Sequence, residues 1–67
     1  MTVKIRVWGN FDKDSKTPLL FEETYELASY SQAREQVRFL LQEHNGKNAH
    51  ADCEGPNQNY NSIWVAG

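Results

Sequence analysis

An amphipathic segment near the middle of the chain decides the fold. Residues 29–46 read Ser-Tyr-Ser-Gln-Ala-Arg-Glu-Gln-Val-Arg-Phe-Leu-Leu-Gln-Glu-His-Asn-Gly. Ser29 or Ser31 can cap the first amides of a helix, and Gln32 follows Ser29 at the spacing of a capping box. The closing Asn-Gly pair favours a stop with Gly46 in the left-handed conformation. The segment therefore predicts a helix, whose inner face at helical spacing is formed by Ala33, Val37, Leu40, Leu41 and His44.

Two segments before this helix alternate apolar with polar residues, which is the pattern of half-buried strands. Residues 2–8, Thr-Val-Lys-Ile-Arg-Val-Trp, place branched aliphatic groups at odd positions. Residues 19–28 resume the alternation after a polar stretch rich in turn-forming residues, which predicts a long hairpin loop. An antiparallel pairing with Leu27 opposite Val3 and Thr24 opposite Arg6 joins apolar to apolar and polar to polar groups.

The chain after the helix contains a predicted loop and a predicted strand. Residues 47–59 show no periodicity and include a Gly-Pro turn, which predicts a long loop and a candidate specificity element. Residues 60–66 alternate again and predict a third strand beside the first, with Arg6 next to Trp64. The order β-β-α-β then favours an α+β domain, a three-stranded sheet of order 2-1-3 with one helix packed on one face.

The size and charge of the chain restrict its function. Its 67 residues, 39% of them hydrophobic, predict a single small domain over residues 1–67 with one core. Seven Lys and Arg against nine Asp and Glu give a net charge of −2, which fits neither a typical nucleic-acid binder nor a DNA mimic. The single cysteine, the lack of a long apolar run and the lack of a signal-peptide pattern after Met1 favour a cytoplasmic protein that does not enter a membrane.

The candidate binding surface is the even-numbered face of the predicted sheet, because a single helix covers only the other face. Tryptophan is enriched at binding hot spots, since its large ring gains from leaving water and its N–H donates a hydrogen bond. Either the two tryptophans contact a partner protein, with a second copy of the chain as one candidate, or a long loop shields them. The predicted partner-binding residues are Lys4, Arg6, Trp8 and Trp64 on the sheet, and Arg38 and Phe39 on the outer side of the helix.

Metal binding and catalysis are the first alternatives to protein binding. His44, His50 and Cys53 are of metal-ligand type, but they lack the paired spacing of structural zinc sites, and we predict no metal and no cofactor. Cys53 and His50 are also the residue types of a nucleophile and its base. A core of this size cannot easily enclose a substrate cleft, so we predict that the protein is not an enzyme.

Binding of single-stranded nucleic acid is a further alternative. Aromatic groups on an open sheet beside Lys4 and Arg6 are suited to stacking against bases. Glu22 and Glu26 share that predicted face and would repel phosphate, which makes nucleic acid the less favoured partner.

The junction at residues 25–34, Tyr-Glu-Leu-Ala-Ser-Tyr-Ser-Gln-Ala-Arg, resembles the strand-to-helix junction of several small phage-encoded proteins, including some anti-CRISPR inhibitors. The resemblance covers these ten residues. It implies an alternative in which a phage or mobile-element protein inhibits a host enzyme or a CRISPR-type defence complex. The broader expectation is a non-enzymatic module that regulates or inhibits a partner by occupying its surface.

Overall fold

The computed structural model describes residues 1–10, 18–55 and 60–66, with only the backbone described at residue 60. The predicted hairpin loop falls largely in residues 11–17, outside the described residues. The chain forms β1 (Thr2–Trp8), β2 (Leu19–Glu26), α1 (Tyr30–Glu43), β3 (Asn48–Glu54) and β4 (Tyr60–Ala66).

The strands form one antiparallel sheet in the order β2-β1-β3-β4, and α1 packs against one of its faces. The prediction of a small α+β fold with one helix and an antiparallel sheet is confirmed. The prediction of three strands in the order 2-1-3 is wrong, because β3 lies between β1 and the strand at 60–66. Arg6 and Trp64 are consequently separated by one strand.

The strand that the sequence pattern missed is β3, in the interior of the sheet. Its helix-facing side chains are Ala49, Ala51 and Cys53, all with no exposed surface. Polar residues occupy the alternate positions, so the segment does have a period of two. The branched and aromatic residues that usually mark strands are absent, and the segment therefore looks like a loop.

The pairing of β1 with β2 differs from the predicted register by two residues. Arg6 lies opposite Glu22 rather than Thr24. Met1 continues the ladder opposite Leu27, whose N–H donates to the Met1 carbonyl oxygen at 2.9 Å. A shift of two residues leaves every side chain on its predicted face and gives Arg6 a carboxylate neighbour.

The start of α1 is set by side-chain capping. Ser29 is the N-cap residue, and its Oγ accepts a hydrogen bond from the Gln32 N–H at 3.3 Å. Gln32 Oε1 in turn accepts from the Ala28 N–H at 2.8 Å. Ser29 rather than Ser31 therefore caps the helix. Within the described residues, no helix is long and apolar enough to cross a membrane.

The end of α1 places Asn45, and not Gly46, in the left-handed conformation, with φ of 52°. The prediction of a left-handed glycine is wrong. The Gly46 N–H donates back to the Leu41 carbonyl oxygen at 2.9 Å, the outer hydrogen bond of a Schellman turn. Glycine is needed at position 46 for space, because a Cβ would overlap Val7 Cγ1 and lie 3.1 Å from the carbonyl oxygen of Trp8.

The core lies between α1 and the odd-numbered face of the sheet. The helix packs against β3, β1 and β4, and it does not extend over β2. Glu23, on the odd-numbered side of β2, is therefore exposed, while Phe21 and Tyr25 are only partly buried. The buried core residues are Val3, Ile5, Val7, Ala33, Val37, Leu40, Leu41, Ala49, Ala51, Cys53 and Ile63.

Candidate functional site

The even-numbered face of the sheet, which we call the open face, carries a row of side chains that crosses all four strands. The backbone register places Glu22 beside Arg6, Arg6 beside His50, and His50 beside Trp64. A carboxylate, a guanidinium, an imidazole and an indole therefore follow one another at the same height in the sheet. We call these four residues the central row.

The first half of the central row is an ion pair. Arg6 Nε lies 2.5 Å from Glu22 Oε2, and Lys4 Nζ lies 3.8 Å from the other carboxylate oxygen. The hydrogen bond from Arg6 is the main reason that the pKa of Glu22 is lowered. Desolvation opposes this, and the charges of Lys4 and Arg6 contribute smaller effects in the same direction as the hydrogen bond. Exposed pairs of this kind add little stability, and the contact holds the Arg6 side chain against the Glu22 carboxylate.

The second half of the central row holds an exposed aromatic ring in place. The Trp64 side chain is 67% exposed, the largest value among the large hydrophobic residues that the structure describes. Its indole stacks on the His50 ring, with centroids 4.2 Å apart and planes inclined by 21°. His50 Nε2 lies 3.2 Å from Asp52 Oδ1, which fixes the imidazole. Trp64 therefore faces solvent while one face of its indole packs on the His50 ring.

Trp8 occupies a different row of the open face, at the end of the sheet. It is half-buried and lies opposite Asn48 on one side and Leu19 on the other. Its carbonyl oxygen accepts a hydrogen bond from the Lys47 N–H at 2.8 Å, which ties β1 to the start of β3. The two stretches predicted to act as a shield include residues 11–17 and 56–59, which lie outside the described residues.

The open face is mixed in charge and slightly acidic. In the part of the chain that the structure describes, its negative groups outnumber its positive ones, whereas surfaces that bind a phosphate backbone are usually basic. Among the described residues, the charged groups on this face are Lys4 and Arg6 against Glu22, Glu26, Asp52 and Glu54.

The two residues predicted on the outer side of the helix do not share one patch. Phe39 is 58% exposed and lines a shallow cavity of about 380 Å³ together with Leu27 and Gln36, toward β2. Arg38 lines a different cavity with Val65, toward β4. The structure therefore places Arg38 and Phe39 on opposite flanks of α1.

The residues considered as metal ligands, or as nucleophile and base, are kept apart. Cys53 is buried on the helix side of the sheet, His50 lies on the open face, and the ring of His44 stacks on Phe21 with centroids 4.3 Å apart. No cluster of three metal-ligating side chains occurs within the described ranges. Burial, with a smaller effect from Asp52, raises the pKa of the Cys53 thiol, which opposes formation of the reactive thiolate.

Two residues of the site were not predicted from sequence. His50 and Asp52 support Trp64, but both fall in the stretch that the pattern assigned to a loop. Their alternation with small apolar residues was the available signal.

No protein-family model matches the chain, and no curated protein or solved structure matches it either.

Proposed function

We propose that this protein is a non-enzymatic binding module that regulates or inhibits a partner protein by occupying its surface with the open face. The observation that carries the proposal is the exposed indole of Trp64 held against His50. A large ring in water favours burial against another surface. A ring that is already supported loses less conformational freedom on binding, which leaves more of the burial energy as affinity.

The neighbouring cations supply polar specificity in this proposal. Arg6 is oriented by Glu22, and Arg6 and Lys4 together place two positive charges beside the aromatic part of the face, where they can attract a carboxylate of a partner. Tryptophan and arginine are the residue types most enriched among binding hot spots. Trp8, half-buried in the adjacent row, extends the apolar part of the surface.

A protein is favoured over single-stranded nucleic acid as the partner. Aromatic rings on a sheet can stack on bases, but such platforms work together with a positively charged groove. On the open face the only described cations, Lys4 and Arg6, both lie within 4 Å of the Glu22 carboxylate. Mixed charge of this kind is typical of the polar rim of a protein–protein interface and unsuited to a binding site for a phosphate backbone.

The narrower proposal of a phage inhibitor rests on the junction at residues 25–34. Within that junction Ser29 and Gln32 make the hydrogen bonds that start α1. Ordinary helix capping therefore accounts for Ser29 and Gln32 without any contact to a partner. We propose the broader binding function for this reason.

Quantitative capture with matched variants tests the proposal. Wild type, Trp64→Ala and Phe39→Ala are immobilised and exposed to lysate of the source organism, and the dissociation constant is then measured with the purified partner. Phe39→Ala is the control because Phe39 is also an exposed aromatic but lies on the helix side. We expect Trp64→Ala to weaken binding by about 30-fold, as for a hot-spot residue, and Phe39→Ala to leave it nearly unchanged.

Three results would contradict the proposal. Equal binding by all variants would remove the open face as the site. Tight binding of single-stranded RNA that depends on Trp64 and on salt would assign the face to nucleic acid. A dimer that light scattering detects in wild type and not in Trp64→Ala would show that a second copy occupies the face.

A further inference from the structure

The two edge strands of the sheet differ in charge. β2 carries Glu22, Glu23 and Glu26, whereas β4 contains no acidic or basic residue. An edge strand presents unpaired N–H and C=O groups that can accept another strand, and charged side chains are a common means of preventing this. In the described part of the chain β4 pairs with β3 alone, so its outer edge has no neighbouring strand and no charged side chain of its own.

The helix places two arginines beside this edge. Arg34 lines a cavity of about 350 Å³ with Asn61 and Ile63, and Arg38 lines a cavity of about 440 Å³ with Val65. Both arginines are exposed. Among the residues that the structure describes, neither guanidinium takes part in an ion pair. The edge of β4 is therefore flanked on the helix side by two cations without a counter-ion.

The helix is fixed alongside β4 and runs in the same direction. Near its start, the Asn61 side-chain amide donates a hydrogen bond to the Tyr30 hydroxyl oxygen. Near its end, Gln42 and Ala66 line the same cavity. The two arginines, one helical turn apart, are therefore spaced along the strand edge by about 6 Å at the helix axis.

We propose that the outer edge of β4 binds an extended acidic segment of a partner protein by strand addition. Alternate side chains of an extended strand lie about 6.8 Å apart on one face. That spacing matches the separation of Arg34 and Arg38, so two carboxylates at alternate positions can each meet one guanidinium. The intervening side chains then face the open side of the sheet, next to Trp64. This inference rests on the proposed function, because Trp64 belongs to both surfaces.

Other occupants fit this edge less well. In a symmetric dimer through β4, both helices would lie on the same side of the joined sheet, and the arginines of the two copies would face one another. Nucleic acid has no peptide backbone to complete the ladder of an edge strand. An acidic segment is also kept away from the opposite edge, because Glu23 and Glu26 repel it. Charge thus directs such a segment to β4.

The probe for this proposal is a synthetic peptide of seven residues, the length of β4, that alternates glutamate with valine and has blocked ends. Binding is followed at low salt by backbone amide shifts and hydrogen exchange. We expect shifts and slowed exchange at residues 61–66. The double variant Arg34→Gln/Arg38→Gln should weaken binding by about tenfold, because two ion pairs are lost. Gln36→Ala, on the flank of α1 that faces Leu27 rather than β4, should change it by less than about twofold.

Several results would overturn the proposal. These are no binding at millimolar peptide, equal binding of a lysine–valine peptide, unchanged binding by the double variant, or shifts that map to β2. Protection of the β4 amides without peptide, together with self-association in light scattering, would assign the edge to a second copy. Tighter binding of oligouridylate through the two arginines would assign it to nucleic acid.

Failure here is distinguishable from failure of the proposed function. If only the strand-addition mode is wrong, Trp64→Ala still weakens binding of the captured partner, and the peptide leaves β4 unprotected. If the open face is not the site at all, Trp64→Ala leaves partner binding intact.

Discussion

The indole of Trp64 lies stacked on the imidazole of His50, with ring centroids 4.2 Å apart. This contact joins the edge strand β4 to the interior strand β3 on the open face. Asp52 completes the support, since its carboxylate lies 3.2 Å from His50 Nε2. The most exposed aromatic group that the structure describes is thus positioned by two residues behind it.

Removal of the His50 ring should free Trp64 without unfolding the protein. In a Trp8→Phe background, where Trp64 is the only indole, we expect His50→Ala to lower the fluorescence anisotropy. Partner affinity should fall by about threefold to tenfold, because the indole must then be ordered on binding. Ser62→Ala is the control, because Ser62 is exposed and lies with Trp64 on β4 and on the open face. Equal anisotropy in the two variants would show that the stack does not restrain Trp64.

The helix cap gives a stability prediction that separates two neighbouring serines. Ser29→Ala removes the oxygen that accepts from the Gln32 N–H and should lower the free energy of unfolding by about 1 kcal/mol. Ser31→Ala lies in the exposed first turn and should change it by less than about 0.5 kcal/mol. Urea unfolding monitored by circular dichroism measures both. A larger effect at Ser31 would contradict the assignment of the cap.

Gly46 gives a prediction that depends on space rather than on backbone conformation. Gly46→Ala should lower the free energy of unfolding by about 1–3 kcal/mol, because the new methyl group overlaps Val7 and meets the fixed carbonyl oxygen of Trp8. Asn45→Gly is the matched control, since Asn45 already has positive φ, and it should stay within about 1 kcal/mol of wild type. Thermal unfolding compares the two. A harmless Gly46→Ala would mean that the end of α1 lies farther from β1.

Cys53 predicts a dependence of stability on alkaline pH. Its pKa is raised in the folded state by burial, so the folded protein favours the neutral thiol. This contribution is fully present below the ordinary thiol pKa, and it is lost as the pH rises through that value toward the folded one. The free energy of unfolding should therefore fall more steeply above about pH 8.5 in wild type than in Cys53→Ala. Parallel dependence of the two proteins on pH would contradict this prediction. A lower stability of Cys53→Ala at neutral pH, caused by the cavity that the substitution leaves, would not.

Local signals in the sequence were sufficient for the helix and for the first strand. The choice of a cap at Ser29 or Ser31 and the apolar spacing from Ala33 to Leu41 depend on neighbours within four residues, which the sequence displays directly. The β1–β2 register was wrong by two residues because a shift of two keeps every side chain on its face, so the alternation is the same at either offset. The charged partner of Arg6, Glu22, distinguishes the observed register from the predicted one.

The strand β3 was not predicted, and the reason lies in the tertiary structure. α1 lies directly over β3, and the small side chains of Ala49, Ala51 and Cys53 are the ones that face it there. Small residues carry little strand preference of their own, so the segment was read as a loop. The alternation of residue numbers did place Arg6 and Trp64 on one face. The partners that position Trp64 could not be predicted without β3.

The position of β1 between β2 and β3 has a consequence for how the molecule folds. Thr2 pairs with Glu54, so one of the two neighbours of the first strand is separated from it by most of the described chain. Contacts of such long sequence separation slow the folding of small domains, because a large loop must close before they form. On a ribosome, the first hairpin and the helix can appear early, but the sheet gains its second interior strand only after β3 has emerged. Until then, the inner edge of β1 is open to mispairing.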